Sequence, residues 1–518
     1  MTSKRPNFLF FITDQHRADH TGFGGNAALQ TPNLDALAAR STRFDRAYVA
    51  NPICMPNRST LLTGRQPSVH GTRFNGISLD PSNETFVRVL AEQGFRTALV
   101  GKGHFQNMGH GEGAAENFFS EPGDAWRRAN PEGWDLYENL ARHRSGRVEF
   151  PDSFYGFEHV DLTIDHGDRC GGHYFQWLLE QGVSPDALQG PENAIERYPG
   201  WDQVYQTALP EELYPTSYIT QQSLGWLDDA SKREEPFFLY CSYPDPHHPF
   251  TPPGRFWKMY EPAGLELPAS FDDPHEHSLP IFRARCQNRG KQLFPVAPFA
   301  PTEDQWRRCA AAEYGMISMI DEGVGRILGR LEDLGLAENT VVVFTADHGD
   351  MFGDHGMMLK GGMHYEGCVR VPLLIAAPGR TPAVSRSLAG TLDLAQTLLE
   401  LAGIPAYHGM QGESLVPILE DPIARVRDSV VIEEDELFDL AGVGAHLRMR
   451  TLVTEDARLT FYQGSEQGEL FDLSNDPGEL ENRFAEHEWK ERRAELCEVL
   501  SRRMMEYADR SPKPTYFA

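Results

Sequence analysis

The sequence has few cysteines and no pairing pattern among them. Its seven cysteines stand at 54, 170, 241, 286, 309, 368 and 497, and none forms a Cys-x-x-Cys pair. A zinc framework or a disulfide scaffold needs closely spaced cysteines, so neither is expected. Positive charge is scarce too: 48 Lys and Arg stand against 75 Asp and Glu, a formal net charge of −27. Nucleic acids and anionic membrane surfaces are bound through basic patches, so neither is expected as a partner.

Long apolar runs are also absent from the sequence. No stretch approaches the ~20 apolar residues that a membrane-spanning helix requires. The apolar segment at residues 7–13 is too short for a signal peptide and lacks a small-residue cleavage site. With the scattered cysteines, this predicts a cytoplasmic protein with reduced thiols. Because the overall charge repels anions, any anionic substrate needs a locally basic pocket.

The 518 residues exceed what one compact core usually holds, which predicts two lobes. Short, nearly continuous apolar runs indicate buried parallel strands at residues 7–13, 97–100, 237–243, 340–346 and 371–377. Helical patterns lie between them at 34–39, 86–92, 314–334 and 392–401. This alternation predicts a large doubly wound α/β domain over residues 1–400, with a mostly parallel sheet sandwiched by helices. Ligands in such domains bind beyond the carboxyl ends of the strands.

Two further regions depart from this alternation. Residues 105–215 have little periodicity and predict an irregular substrate-specificity insertion. Aromatic and histidine side chains in it either line an aryl pocket or pack a lid: Trp126, Trp134, Tyr137, His173 and Tyr174. Residues 401–518 predict a smaller α+β lobe, with antiparallel strands at 448–462 and 469–473 and a charged helix at 486–507.

The most informative segment is residues 51–65, NPICMPNRSTLLTGR. Its Cys-x-Pro-x-Arg centre, followed by Thr-Gly-Arg, resembles the signature of type I sulfatases of the alkaline phosphatase superfamily. In that family the cysteine is oxidised to Cα-formylglycine, whose hydrate is the nucleophile. The resemblance therefore implies that Cys54 is the catalytic precursor and that a formylglycine-generating enzyme acts on it. The alternative is a small apolar residue at a helix start.

Two dipeptides that each begin with an aspartate follow predicted strands. Asp14-Gln15 ends the first strand and Asp347-His348 ends the run at 340–346. Oxygen and nitrogen ligands at strand ends are typical of a divalent metal site, although Asp also caps helices and starts loops. Both pairs resemble the metal-binding halves of the sulfatases. This implies a metal site of Asp14, Gln15, Asp347, His348 and the oxidised Cys54, for Ca²⁺ or Mn²⁺.

Positive groups and histidines follow other predicted strands. The resemblance extends to Lys102 and His104 as the family's Lys-x-His element, His247 rather than His248 as its His-x-Pro element, and Lys360 as its late lysine. It implies that Lys102 and Lys360 neutralise the sulfate group. His247, with Lys360, protonates the leaving oxygen, and His104 removes the proton that lets sulfate depart. Arg58, four residues after Cys54 on one helical face, is expected to hold the hydrate.

These features predict a hydrolase of sulfate monoesters, arylsulfatase-like, that also accepts phosphonate monoesters and phosphodiesters. One alternative is a phosphonate monoester hydrolase or phosphodiesterase, a branch that Gln15, Asn75 and the Asp347-His348 pair fit; the Lys102-x-His104 pair fits the sulfatases better. Another is a non-catalytic binding protein with unconverted Cys54. The extended, partly apolar tail at residues 511–517 suggests docking on a second subunit, which predicts a homo-oligomer.

Overall fold

A nine-stranded mixed sheet forms the centre of the part of the chain that the structure describes. The structure is a computed structural model and describes residues 5–109, 125, 130–292, 297–437 and 446–515. Trp126, Tyr516 and Phe517, which belong to segments discussed above, lie outside these residues. The strands are β1 (Asn7–Thr13), β2 (Thr42–Phe44), β3 (Ala47–Tyr48), β4 (Arg96–Lys102), β5 (His159–Ile164), β6 (Gly171–Gly172), β7 (Glu196–Arg197), β8 (Tyr205–Gln206), β9 (Phe237–Ser242), β10 (Thr340–Ala346), β11 (Leu373–Ala376), β12 (Ala383–Ser385), β13 (Ala389–Gly390), β14 (Ser429–Asp435), β15 (Arg448–Thr454), β16 (Ala457–Tyr462) and β17 (Gly468–Asp472).

The strand order of the large sheet is β12-β2-β11-β10-β1-β9-β4-β5-β6. Its centre, from β10 through β1, β9 and β4 to β5, is parallel throughout. Five parallel strands therefore present their carboxyl ends at one edge, which is where ligands bind in open α/β sheets. The predicted α/β class, with a mostly parallel sheet and a smaller C-terminal lobe, is confirmed.

Within the described residues, helices cover both faces of this sheet, and the last of them covers the small C-terminal sheet described below. They are α1 (Pro32–Ala38), α2 (Cys54–Thr63), α3 (Pro67–His70), α4 (Phe86–Glu92), α5 (Leu140–Ser145), α6 (His173–Glu180), α7 (Pro215–Ala230), α8 (Pro280–Gln287), α9 (Glu303–Asp333), α10 (Glu366–Val369), α11 (Leu394–Leu401), α12 (Val416–Glu420) and α13 (Lys490–Glu506). β1 shows the layering: Phe8 and Phe10 enter one core, whereas Leu9 and Phe11 enter the core that the helices α7 and α9 cover. A strand buried on both faces has a continuous apolar sequence, which explains why β1 was visible in the sequence.

The strand β11 differs from the prediction. It lies in the run predicted as a parallel strand, but it pairs antiparallel with β10. A parallel return needs a crossover, usually a full helix. The residues between β10 and β11 instead form the loops that carry His348 and Lys360, with a 3-10 turn at Asp354–Gly356 and the single-turn helix α10. The chain therefore returns in the opposite direction.

The segment predicted as an irregular insertion contributes to the main sheet. Within residues 105–215, β5 pairs in parallel with β4, and the helices α5 and α6 pack beside it. β5 was hard to predict because its sequence, HVDLTI, carries polar side chains and is flanked by aperiodic loops. The segment is therefore partly regular, and its strand reaches the same sheet edge as β1 and β10.

The C-terminal residues form a four-stranded antiparallel sheet, β14-β15-β16-β17, covered by α13. Its first strand alternates between two cores: Val430 and Ile432 pack into the core of the large sheet, whereas Val431 packs under α13. The small sheet thus shares a core with the large one, and the lobe boundary placed at residue 400 stays a prediction.

β14 also contacts the large sheet's loops through polar groups. The Glu433 carbonyl accepts a hydrogen bond from Asn51, at 2.6 Å, just before helix α2. One residue on, the buried Glu434 carboxylate accepts the Gly362 N–H at 3.0 Å, two residues after Lys360. One strand of the small sheet therefore contacts both the loop before helix α2 and the loop that carries Lys360.

A search of the described helices found none that is long and apolar enough to span a membrane.

Candidate active site

The side chains predicted to carry chemistry gather at the carboxyl ends of the five parallel strands. Asp347 and His348 follow β10, Asp14 and Gln15 follow β1, His247 and His248 follow β9, Lys102 and His104 lie at the end of β4, and His166 follows β5. All of these are buried, and Lys360, from the loop after β10, is half-buried. A parallel sheet thus brings together residues from five distant segments.

Cys54 is the first residue of helix α2 and only 1% exposed. The helix begins after the extended residue Ile53 and ends at Gly64, whose left-handed φ of 60° suits glycine. Pro56 fits the first turn because its missing N–H would have no partner within the helix. The Asn75 side-chain oxygen accepts the free Met55 N–H at 3.0 Å. The thiol is consequently held at the amino end of a helix that points at the sheet edge.

Ligand atoms of three side chains lie around this thiol. The Cys54 Sγ lies 3.1 Å from His348 Nε2 and 3.7 Å from Asp14 Oδ1. His348 Nδ1 bonds the Gly349 carbonyl at 2.9 Å, so Nδ1 carries the proton and the Nε2 lone pair faces the cluster. With Asp347, the four groups place one ligand atom each within 4.8 Å of one another. This spacing fits ligands that share one cation.

The electrostatics of the two acids support a cation between them. Burial would raise the pKa of Asp14, but the positive groups around it, Lys102 first and then His247 and Arg58, together outweigh burial and hold the pKa well below its usual range. Burial and the neighbouring Asp14 charge raise the pKa of Asp347 to about 6. Two buried carboxylates this close repel unless a positive charge joins them. Their oxygens, with an imidazole nitrogen, are a donor set that suits Ca²⁺ or Mn²⁺.

Arg58 is fully buried and forms hydrogen bonds with both acids, Asp14 and Asp347. Its Nε donates to Asp347 Oδ2 at 2.7 Å and its Nη2 to Asp14 Oδ2 at 3.2 Å. Its Nη1 donates to the Lys102 carbonyl and to the Ser242 hydroxyl. These four hydrogen bonds orient the guanidinium toward the carboxylates. Arg58 therefore positions the acidic ligands; the predicted hold on the hydrate stays a prediction.

Lys102 lies between an acid and a histidine. Its Nζ is 2.6 Å from Asp14 Oδ2 and 2.5 Å from His166 Nε2. His166 in turn contacts the Asp165 carboxylate through Nδ1 at 3.0 Å. Burial would lower the pKa of Lys102, but Asp14, together with Cys54 and Asp347, outweighs burial and raises the pKa, so the amine stays charged. Lys102 is thus a fixed positive charge beside Cys54.

Three imidazoles stack beside Lys102. The His166 and His247 rings lie 3.6 Å apart at 17°, and His247 and His248 lie 4.1 Å apart at 23°. His247 Nδ1 bonds the His248 carbonyl at 2.5 Å, which leaves Nε2 free to exchange a proton. Burial, then His166, lowers the pKa of His247 well below its usual range. An anionic ester bound nearby favours the protonated ring.

His104 occupies a left-handed turn after β4, with a φ of 59°. Its Nδ1 is buried without a hydrogen-bond partner among the described residues. Burial, reinforced by Lys102, lowers the pKa of His104 well below its usual range. A neutral imidazole with an unpartnered nitrogen is suited to accept a proton.

The family models decide the identity of this arrangement. The model described as "Sulfatase" matches residues 6–404, which is more than half of the chain. The chain belongs to the sulfatase family. A second model, for the C-terminal part of N-sulphoglucosamine sulphohydrolase, matches residues 353–506. The protein is accordingly a sulfuric ester hydrolase, as its sequence predicted.

Individual relatives agree with this assignment. An arylsulfatase of Clostridium perfringens is 30% identical over 509 residues, covering 96% of this chain and 94% of the relative. A phosphonate monoester hydrolase structure from Silicibacter pomeroyi superposes with a TM-score of 0.78 at 24% identity, covering 98% of this chain and 96% of that one. At that identity the second likeness shows a common fold.

The sulfatase brings most of its predicted site residues together. Cys54, Asp14, Asp347 and His348 form the donor cluster, and Lys102 contacts Asp14 directly. Gln15 is nearby, but its side-chain oxygen accepts a hydrogen bond from Lys360. Its predicted role as a metal ligand stays a prediction.

Two of the residues expected either to line an aryl pocket or to pack a lid are placed in the core. His173 Nε2 bonds the Val148 carbonyl at 2.8 Å, and the Tyr174 hydroxyl donates to the Leu213 carbonyl at 2.7 Å. Both are buried, and Tyr174 belongs to a core cluster. They support the sheet rather than line a pocket.

The sequence analysis missed three residues of this sulfatase site. His166 lies in the segment that had been assigned to an insertion, although Asp165-His166-Gly167 resembles the strand-end Asp-His-Gly of residues 347–349. The sequence analysis preferred His247 to His248 and assigned no role to Asp350. The repeated Asp-His-Gly triplet was the signal that could have found His166.

Proposed function

We propose that the protein is an arylsulfatase-like enzyme whose nucleophile is the hydrate of formylglycine made from Cys54. The observation that carries this is the position of Cys54: a buried helix terminus, 3.1 Å from His348 Nε2, between two carboxylates and the Lys102 ammonium. As a thiol, Cys54 is poorly activated, since burial and Asp14 raise its pKa to about 11. Catalytic thiols are activated by a lowered pKa. Oxidation to the aldehyde hydrate replaces the thiol by hydroxyl groups.

Asp14, Asp347, His348 and the oxidised Cys54 would hold the metal ion, with Gln15 as a further candidate. A bound Ca²⁺ or Mn²⁺ would lower the pKa of a coordinated hydroxyl and neutralise the sulfate group. Arg58 keeps both carboxylates oriented for this purpose. Lys102, and Lys360 at the more exposed side, add positive charge where the substrate's oxygens are expected.

The chain's own groups then move the protons. One hydroxyl of the hydrate loses its proton to solvent and attacks sulfur, the S–O bond to the alcohol breaks, and His247 or Lys360 gives a proton to the leaving oxygen. His104 takes the proton of the second hydroxyl, the aldehyde re-forms, and the C–O bond to sulfate breaks. Addition of water restores the hydrate. The unpartnered Nδ1 of His104 and the free Nε2 of His247 support these two roles.

The natural alcohol and the choice between sulfur and phosphorus are tested by substrate comparison. Sulfate monoesters, phosphonate monoesters and phosphodiesters all present one negative charge to the same cations. We expect an aryl sulfate to have the highest kcat/KM of the three ester types. A higher kcat/KM for an aryl phosphonate or a phosphodiester would favour the phosphonate hydrolase alternative instead.

The nucleophile is tested with Cys54→Ala. We expect turnover at background level, because no other group can form the covalent sulfate ester, and an unchanged circular dichroism spectrum. Mass spectrometry of the Cys54 peptide should show an aldehyde in place of the thiol when the protein is made with a formylglycine-generating enzyme. Turnover of Cys54→Ala within tenfold of wild type would refute the assignment, and an unmodified peptide in active enzyme would refute the modification.

A further inference from the structure

Both polar atoms of the Gln15 side chain make hydrogen bonds within the site. Its Nε2 donates to Asp350 Oδ2 at 2.6 Å and contacts His248 Nδ1 at 3.2 Å. Its Oε1 accepts from the Lys360 ammonium. Gln15 itself has a left-handed φ of 58°, and its N–H donates to Asp347 Oδ1 at 3.1 Å. The residue is therefore fixed through both its main chain and its side chain.

The orientation of this amide follows from the chemistry of its neighbours. The Lys360 ammonium has donors only, so it must face the amide oxygen. A carboxylate has acceptors only, so Asp350 must face the amide nitrogen. Turning the amide over would put donor against donor at Lys360 and acceptor against acceptor at Asp350. Only one of the two amide orientations satisfies both contacts.

Asp350 is itself held rigidly from the opposite side. Its Oδ1 accepts the N–H groups of Phe352 at 2.6 Å and Leu359 at 2.9 Å. The buried Arg17 guanidinium donates to the main-chain carbonyls of Asp350 and Met351 at 2.9 and 2.8 Å. With Oδ1 committed to these amides, Oδ2 is the atom left to meet Gln15.

We propose that Asp350 is a positioning residue: it fixes the Gln15 amide with its oxygen toward Lys360 and so requires a hydrogen-bond donor at position 15. A carboxylate at position 15 would bring two acceptor oxygens together with no hydrogen between them. The negative charge at this point of the site is therefore carried by Asp350, the hydrogen-bond partner of Gln15, and not by residue 15 itself. The effect on turnover rests on the proposed function, whereas the orientation of the amide does not.

Exchanging the amide at position 15 with the carboxylate at position 350 tests this proposal. Asp350→Asn turns a donor toward the Gln15 nitrogen, and Gln15→Glu places an acceptor against Asp350; each should lower kcat for an aryl sulfate by roughly 10- to 100-fold. In the double variant, the amide introduced at position 350 can still accept the two main-chain N–H groups through its oxygen. Its nitrogen can donate to the carboxylate introduced at position 15. The reversed hydrogen bond should recover at least about tenfold of the lost kcat.

The thermal unfolding midpoints of wild type, the two single variants and the double variant, measured without added metal, give a second readout. Each single variant should unfold at a lower temperature than wild type, and the double variant should lie closer to wild type than either. This readout does not need turnover, so an inactive wild type would refute the proposed function while the midpoints still test the proposal. A double variant no better than the worse single variant in its unfolding midpoint would overturn the proposal.

Two further variants separate positioning from a general weakening of the loop. Asp354→Asn perturbs the same arginine, since Arg17 donates to Asp354 at 2.8 Å, but it makes no contact with Gln15; its turnover should stay within about twofold of wild type. In a Gln15→Ala background there is no amide to orient, so Asp350→Asn should change the unfolding midpoint much less than in wild type. An equal loss in both backgrounds would also overturn the proposal.

Discussion

The two halves of the active site differ in charge and in origin. The acidic half comes from β1 and β10, neighbours at the middle of the sheet, and supplies Asp14 and Asp347. The basic half comes from β4, β5 and β9, and supplies Lys102, two flanking imidazoles (His104 and His166) and the stacked His247. Cys54 lies where they meet, with Lys102 in direct contact with Asp14. A chain with a net charge of −27 can therefore still offer an anion a local site, because the Lys102 ammonium is fixed beside Cys54 among imidazoles that carry no negative charge.

Removing a charge from the acidic half should have the largest effect. Asp347→Asn removes one of the two negative charges of the donor cluster and replaces a carboxylate oxygen by an amide nitrogen. We expect metal binding to be lost and turnover to fall by about 1,000-fold or more. Because the pKa of Asp347 is raised, its charge does not stabilise the metal-free fold, and the metal-free variant should unfold at no lower urea concentration than wild type. Elemental analysis of the dialysed protein, kcat and urea unfolding measure the three effects. A variant with a full metal content and kcat within tenfold of wild type would contradict this assignment of the acidic half.

Removing the charge of the basic half should affect turnover more than folding. Lys102→Met keeps the length of the side chain but loses the ammonium, and we expect kcat to fall by about 100- to 1,000-fold. The exposed Lys258→Met is the matched control and should leave kcat unchanged. If both lysine variants behaved alike, the charge of Lys102 would not contribute to catalysis.

His166 should have a smaller effect because it acts through its neighbours. His166→Phe retains a ring that can stack on His247 but removes the nitrogen that lies 2.5 Å from Lys102 Nζ. We expect roughly a 10- to 100-fold loss in kcat with little change in the unfolding midpoint. His159→Phe, at an exposed histidine of the strand β5, is the control. A kcat equal to wild type would remove His166 from the basic half.

The smallest effect on turnover is expected behind the basic half, at Glu138, where the effect is on stability instead. This buried side chain accepts the Phe105 N–H at 3.1 Å and supports the turn that carries His104. Burial raises the pKa of Glu138 from 4.5 to about 7. Between these values the folded protein binds a proton that the unfolded chain does not, so stability falls as the pH rises through this window, by about 3 kcal/mol. Glu138→Gln should remove this fall in urea unfolding at pH 5 and pH 7; the same slope in both proteins would argue against it.

The sequence predicted the acidic half well and the basic half less completely. β1 and β10 are buried on both faces and end in acidic pairs, so their apolar runs and the residues after them were visible together. β5 has polar side chains and aperiodic neighbours, so neither the strand nor His166 stood out. The partners of Gln15 could not be predicted, because Asp350, His248 and Lys360 meet it only when three loops fold over one sheet edge.

The contacts of β14 can form only late in the synthesis of the chain. Cys54 is 1% exposed in the finished fold, and the loop before it bonds to Glu433, 382 residues after Asn51 in the chain. This hydrogen bond cannot form until residue 433 has left the ribosome, so the loop before Cys54 lacks this contact while the C-terminal residues are still being translated. A buried side chain is out of reach of a modifying enzyme, so we expect the proposed oxidation of Cys54 to take place before the fold is complete.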